Sequence, residues 1–342
     1  MLVCPLCRLA LGPTETACPR DGQQGVQARQ VDVPAGIRAR FAIVEPLAQG
    51  QSGDLFIADD QQTGRRGVLK LLLLPESVTP AERNRLKREL VKQATLAHPV
   101  LCLPLATGDA NGVAWIFREL RDGVSLRVRL ARSGALPPSE ALAVAAQLAS
   151  ALDELHRSGL LHRDIKPGHV LLEPQPSGLP RVSLIDAGIA ARIDAGAVFD
   201  LQGTAEYVSP EQAQGKLVSF RSDLYALGCL LHEMLSGQPP FTGDVKSVLE
   251  AHVSSLPPAS SATVPTGVTT LLAQLLAKEP RDRPFSAQQV RRALEPFLPE
   301  DAGTRREATQ AFEKTAEKPA DHTAAENTVE PSSPKAGTGT LR

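Results

Sequence analysis

Two short stretches gather most of the side chains that could do chemistry. HRDIKPGHVLL, residues 162–172, places a carboxylate at Asp164, an ammonium two positions on at Lys166 and an imidazole at His169. VSLIDAGIA, residues 182–190, adds a second carboxylate at Asp186. Upstream, Lys70 stands as a lone charge in the apolar run GVLKLLLL, and the turn LAQGQSGDLF carries Gly50 and Gly53. Carboxylates can accept a hydrogen bond or hold a hard cation, ammonium groups can neutralise negative charge, and glycines permit close backbone approach. Taken singly, each charge would be a solvated or structural group; the set carries the reading.

These residues need elements to bring them together. From Phe41, short apolar runs broken by Gly and Asp (FAIVEPLAQGQSGDLFIADD, GVLKLLLL) predict strands joined by turns. AERNRLKRELVKQATLA, with Leu86, Leu90 and Leu96 among charges, predicts one helix entered after Pro80. PPSEALAVAAQLASALDELHRSG predicts the clearest helix, with Ser139 in a capping position and Gly159 at its end. Further helices are expected at SDLYALGCLLHEMLSG, VTTLLAQLLA and SAQQVRRALEPF. The fold class is therefore α+β, a small β-rich lobe followed by a large α-helical lobe.

Composition sets the outer bounds. With 42% apolar and 22% charged residues in 342, the bulk of the chain should form a globular core. Balanced charge, 37 basic against 38 acidic, gives no general reason to bind nucleic acid or anionic lipid. No apolar run comes near the roughly 18 residues of a membrane span, and the one at Leu71 to Leu74 stops at Pro75. No secretory leader is apparent at the front, so a soluble, cytoplasmic and reducing setting is expected, with neither membrane nor nucleic acid as partner. Three of the five cysteines lie within the first 18 residues, and Cys102 and Cys229 read as small core residues.

Over residues 41–297 the ordered motifs resemble the eukaryotic-like (Hanks-type) serine/threonine protein kinase family of bacteria. The resemblance implies a two-lobed kinase fold, with an N-lobe over 41–120 and a C-lobe over 121–297. It implies ATP and Mg²⁺ as cofactors and a protein substrate with Ser or Thr. Asp164 would accept the substrate hydroxyl's hydrogen bond and Lys166 would steady the transferred phosphoryl. Asp186 would hold Mg²⁺, for which an oxygen ligand is suited. Lys70 would contact the phosphates with Glu89 as its ion-pair partner. Gly50 and Gly53 would admit phosphate to the backbone, and Leu47, Leu55, Val68 and Glu119 would line the nucleotide. Thr204, in GTAEYVSPEQ, would help seat the peptide, and Asp223 and a Glu211–Arg283 pair would anchor the helical lobe.

Four positions depart from the family. His169 replaces the asparagine that binds a second magnesium, and imidazole is a softer ligand than Mg²⁺ prefers. Ala187 replaces the phenylalanine of the metal triplet. Arg118 stands where the back of the adenine pocket is usually apolar, and a buried charge there requires a partner. Ala48 replaces the first loop glycine, a mild change. Between Gly188 and Gly203 there is no Ser, Thr or Tyr, so phosphate placed there and read by Arg163 is not an expected means of activation. These departures leave two functions open: a protein kinase, or a pseudokinase that senses nucleotide or serves as a scaffold. A small-molecule kinase is disfavoured by the peptide-seating segment.

Residues 1–26 resemble a degenerate zinc ribbon: Cys4 and Cys7 form a C-x-x-C pair, followed by Cys18 and Asp21. Together they could meet the four-ligand need of Zn²⁺, and the alternative is a decayed knuckle held by packing. Residues 27–40 read as a linker. Residues 298–342, poor in large apolar groups, read as a disordered tail. The knuckle or the tail could recruit a protein partner.

Overall fold

The computed structural model describes residues 2–4, 10–11, 15–18, 23–27, 31–49, 53–74, 78–176, 178–187, 205–258 and 263–299. At the front, β1 (Leu2–Val3) pairs with β2 (Val26–Gln27), and Cys4 and Cys18 are buried beside Leu11. The Ala10 N–H donates to Leu47 O at 3.0 Å, tying this segment to the first strand of the next unit. A short helix α1 (Ala35–Arg38) then leads into the N-lobe.

The N-lobe is a five-stranded antiparallel sheet in the order β3-β4-β5-β7-β6. Its strands are β3 (Phe41–Gln49), β4 (Gly53–Asp60), β5 (Arg65–Leu72), β6 (Pro104–Ala110) and β7 (Val113–Glu119). Strand alternation divides the residues between two faces. Leu69, Leu71, Trp115 and Phe117 pack on Phe41 and Phe56 on one face. On the other, Leu72, Ala114 and Ile116 meet Leu86 and Leu90 of α2 (Pro80–Ala94). Lys70 pairs with Ile116 and Val68 with Arg118, so both cations share the face turned toward the helix and the C-lobe.

Pro80 is the first residue of α2, one position before the stretch read as helix, and Thr79 caps it in a capping box with Glu82. Gly53 adopts φ +155°, and a Cβ there would lie 2.2 Å from Leu71 O. Close packing of β4 on β5 thus demands this glycine.

The C-lobe opens with β8 (Val124–Ser125), α3 (Leu126–Ser133) and α4 (Pro138–Arg157). Ser139 lies inside the first turn of α4 and does not cap it: the helix begins one residue earlier, with Pro138 in its first turn and Pro137 at the cap position without a side-chain bond. Proline's fixed φ and missing N–H suit that first turn. A three-stranded sheet, β10 (Arg181–Leu184), β9 (Val170–Glu173) and β8, carries the chemistry-bearing loops at its ends. Helices α5 (Pro210–Ala213), α6 (Phe220–Ser236), α7 (Val245–Ser254), α8 (Thr266–Leu275) and α9 (Ala287–Leu294) complete the lobe. The core runs through α4 and α6, whose Leu148, Leu152, Leu155, Leu224, Leu227 and Leu231 are wholly buried. Among the described residues, no helix is long and apolar enough to cross a membrane.

Candidate active site

The two lobes meet where β10 ends. Leu184 exchanges backbone bonds with the Val100–Cys102 segment, at 2.7 and 2.9 Å, and Gln93 of α2 donates to Ala187 O at 3.0 Å. These contacts fix the segment carrying Asp186 against the N-lobe. Asp186 itself takes φ +63° and Arg163 φ +68°, left-handed values costly for residues with a Cβ. The surroundings enforce the second of them: Asp223 on α6 accepts the backbone N–H groups of His162 (2.9 Å) and Arg163 (2.7 Å), and lies 2.8 Å from His156 Nε2. The carboxylate thus bolts the 162–169 loop to the helical core.

Two carboxylates, three cations and a histidine converge at this junction. Lys70 Nζ donates to Asp186 Oδ2 at 2.8 Å across 116 positions of sequence. Arg118 Nη1 donates to the other oxygen, Asp186 Oδ1. On the loop below, Lys166 Nζ donates to Asp164 Oδ2 at 2.8 Å. His169 stands between the two carboxylates, its Nδ1 2.8 Å from Asp164 O and its Nε2 3.7 Å from Asp186 Oδ2. Lys70, Arg118, Asp164 and Asp186 are buried between the lobes, and Lys166 and His169 are half-buried.

Electrostatics assign the protonation states. Burial alone would raise the Asp186 carboxyl, but Arg118 and Lys70 outweigh it and hold the group well below the usual carboxylate range. Asp164 is likewise lowered against the pull of burial, by His169 and Lys166. Burial, reinforced by Lys166, pushes His169 down to about 3, so its ring is neutral at pH 7. Neutral imidazole has one N–H, and Nδ1–H donation to Asp164 O leaves Nε2 as an acceptor facing Asp186. Asp164 Oδ1 is buried with no hydrogen-bond partner among the described residues, so it offers one lone-pair face to an incoming donor.

Glu89 takes other partners than the one expected. Its carboxylate lies 3.6 Å from Arg163 Nη1 and 3.9 Å from Arg85 Nε, while Lys70 is held by Asp186. The arginine that would read an activating phosphate thus faces α2. Val68 is buried on β5, Leu47 and Leu55 are half-buried on β3 and β4, and Glu119 is exposed and paired with Arg121 at 2.9 Å. Glu211 and Arg283 form a bidentate pair, both contacts 2.7 Å, with Ser222 Oγ donating to the same carboxylate at 2.6 Å. Gly50, Thr204, Cys7 and Asp21 lie outside the described residues. No cluster of three or more His, Cys, Asp or Glu able to hold a metal occurs among the described residues.

Sequence reasoning marked Arg118 as anomalous and left its partner unidentified. It missed the Gln93 contact altogether, because an amide on a helix face carries no signal of what lies across a cleft.

The arrangement matches known proteins along most of the chain. The protein kinase domain family model matches residues 41–294. Serine/threonine-protein kinase PknB of Mycobacterium tuberculosis is 35% identical over 274 residues, 76% of this chain and 43% of that protein. Serine/threonine-protein kinase pkn2 of Myxococcus xanthus is 33% identical over 267 residues, 75% of this chain and 32% of its own length. The chain thus spans less than half the length of these relatives. Among solved structures, the Mycobacterium tuberculosis PknI kinase domain superposes with a TM-score of 0.61 at 29% identity, over 75% of this chain and 96% of that one. The chain belongs to the protein kinase family, in its bacterial, Hanks-type serine/threonine branch.

Proposed function

We propose that this chain transfers the γ-phosphoryl group of ATP to serine or threonine hydroxyls of a protein substrate. One observation carries the reading: side chains from β5, from the 162–169 loop and from the end of β10 converge on one buried junction, Lys70 on Asp186 and Lys166 on Asp164. Asp164 Oδ1, lacking a partner, would accept the hydroxyl's hydrogen bond. A new bond forms from the substrate's hydroxyl oxygen to the γ-phosphorus, the bond from that phosphorus to the ADP oxygen breaks, and the hydroxyl proton passes to Asp164. Lys166 and Lys70 would neutralise charge on the phosphates.

ATP and Mg²⁺ are what the family implies. Mg²⁺ requires oxygen ligands in near-octahedral array. As arranged, both Asp186 oxygens accept N–H bonds and His169 presents a nitrogen, so the residues do not fit that ion, and no step here is routed through it. A nucleotide-binding module without turnover is the second reading, favoured by the Arg118 bond to Asp186. The names of the relatives favour the enzyme.

At the front, Cys4, Cys7, Cys18 and Asp21 would hold Zn²⁺, checked by metal analysis of the purified chain, and the knuckle or the tail would recruit a protein partner. The thiol-rich front favours a reducing, cytoplasmic setting. The test of the main reading is phosphate transfer from labelled ATP, with Mg²⁺ or Mn²⁺, to the chain itself or to a generic acceptor protein. Transfer above that of an Asp164→Ala control supports the kinase, and equality with the control rejects it.

A further inference from the structure

Arg118 is the residue that the ordinary account of this cleft leaves without a task. It lies on β7 opposite Val68, two positions along the ladder from Lys70, on the face turned to the C-lobe. Its side chain and that of Asp186 are each only 7% exposed, and Lys70 is 2% exposed. The guanidinium takes Asp186 Oδ1 while Lys70 takes Oδ2 at 2.8 Å. Two tethered cations therefore occupy both oxygens of the one carboxylate through which a divalent ion would enter, and the next side chain in reach, His169, offers nitrogen at 3.7 Å.

The energetics of displacement run against a metal. An ion binding Asp186 would have to crowd against a donor already held on each oxygen, or evict one of them. Arginine cannot shed its charge, and a buried guanidinium stripped of its partner and set beside a dication loses its pairing while keeping the cost of its burial. The triphosphate tail of ATP, by contrast, is a polyanion, and the planar fork of arginine is suited to phosphate oxygens. The junction sets three cations, Lys70, Arg118 and Lys166, against two carboxylates, Asp164 and Asp186, a local excess of positive charge that an anion would relieve.

We infer that Arg118 is a specificity-determining cation of the nucleotide site, a tethered replacement for the divalent ion at Asp186, so that ATP binds without metal and a divalent ion competes with Arg118. This rests on the reading of the cleft as a nucleotide site. Metal changes nucleotide affinity only through a coupling between the two, and Arg118 removes that coupling at its source.

The test is titration calorimetry of the full chain with ATP, in excess EDTA and in excess MgCl₂, for the wild type, Arg118→Met and Arg118→Lys, with thermal melts as the folding control. In the wild type the two dissociation constants agree within about threefold, whereas Arg118→Met binds ATP at least about tenfold more weakly in EDTA than in Mg²⁺. Arg118→Lys, which keeps the charge, stays near the wild-type ratio. A wild type that loses about tenfold or more in EDTA overturns the inference whatever the variants do, so a misfolded variant cannot shield it. An Arg118→Met protein whose ratio equals that of the wild type overturns it too. The two readings fail differently: metal-dependent binding defeats this one alone, and no ATP binding in either buffer defeats both.

Discussion

At the scale of single residues, Asp164 and His169 make opposite predictions. Within the junction, Asp164 offers an acceptor hydroxyl a buried carboxylate oxygen that has no partner among the described residues. Asp164→Asn is expected to lower the phosphotransfer rate by about 10²–10⁴, the usual worth of a positioned acid–base group, with the ATP dissociation constant little changed. His169→Asn restores an amide oxygen beside Asp186. In an Arg118→Met background, where one Asp186 oxygen is freed for a divalent ion, one preorganised electrostatic group is worth on the order of 10²–10³ in turnover, and Mg²⁺-dependent steady-state kinetics should show a gain approaching that size. An unchanged or lower rate would mean that the imidazole serves the site as it stands, through its Nδ1 contact with Asp164 O.

Elements position these residues by few and strong anchors. The bidentate Glu211–Arg283 pair ties the segment before α6 to the loop before α9, and the arginine also donates to the carbonyls of Ala277, Arg221 and Lys278. Arg283→Ala would leave a buried carboxylate and is expected to cost about 3–5 kcal/mol in urea unfolding. The exposed cap Thr79 is a milder case, and Thr79→Ala should cost about 1 kcal/mol. Sequence pattern was readable where local chemistry decides, as at Gly159, whose φ of +66° follows the end of α4. It misled where two local signals competed: Ser139 looks like a cap, but the preceding Pro pair starts the helix earlier. The meeting of the 162–169 loop with Asp186 was legible from residue type, order and spacing. The partner of Arg118 was not, since a contact 68 positions away depends on the register of β5 with β7 and on the closure of the lobes. The turn of Glu89 toward Arg163 was hidden for the same reason.

Across the whole molecule, burial of histidine sets the acid limit of stability. His98 and His252 lie in different lobes' margins, and burial lowers each from 6.5 to about 4, aided at His252 by Lys278. His98 Nδ1 accepts the Val100 N–H at 3.2 Å and His252 Nδ1 lies 2.9 Å from the Tyr225 hydroxyl, contacts suited to neutral rings. Below pH 6.5 the unfolded chain binds protons that the folded chain refuses, so stability rises with pH through this window. Melting temperature should hold steady above neutrality and fall as pH drops from 6.5 toward about 4, and a His98→Gln, His252→Gln double variant should flatten that fall. The central claim is that Lys70, Asp164, Lys166 and Asp186 surround one triphosphate. An acyl-phosphate derivative of ATP, which transfers its acyl group to lysines lying against the phosphates, tests it most directly by peptide mass mapping. Labelling concentrated on Lys70 and Lys166 and suppressed by excess ATP is the predicted result. Labelling confined to exposed lysines such as Lys246, indifferent to ATP, would contradict it.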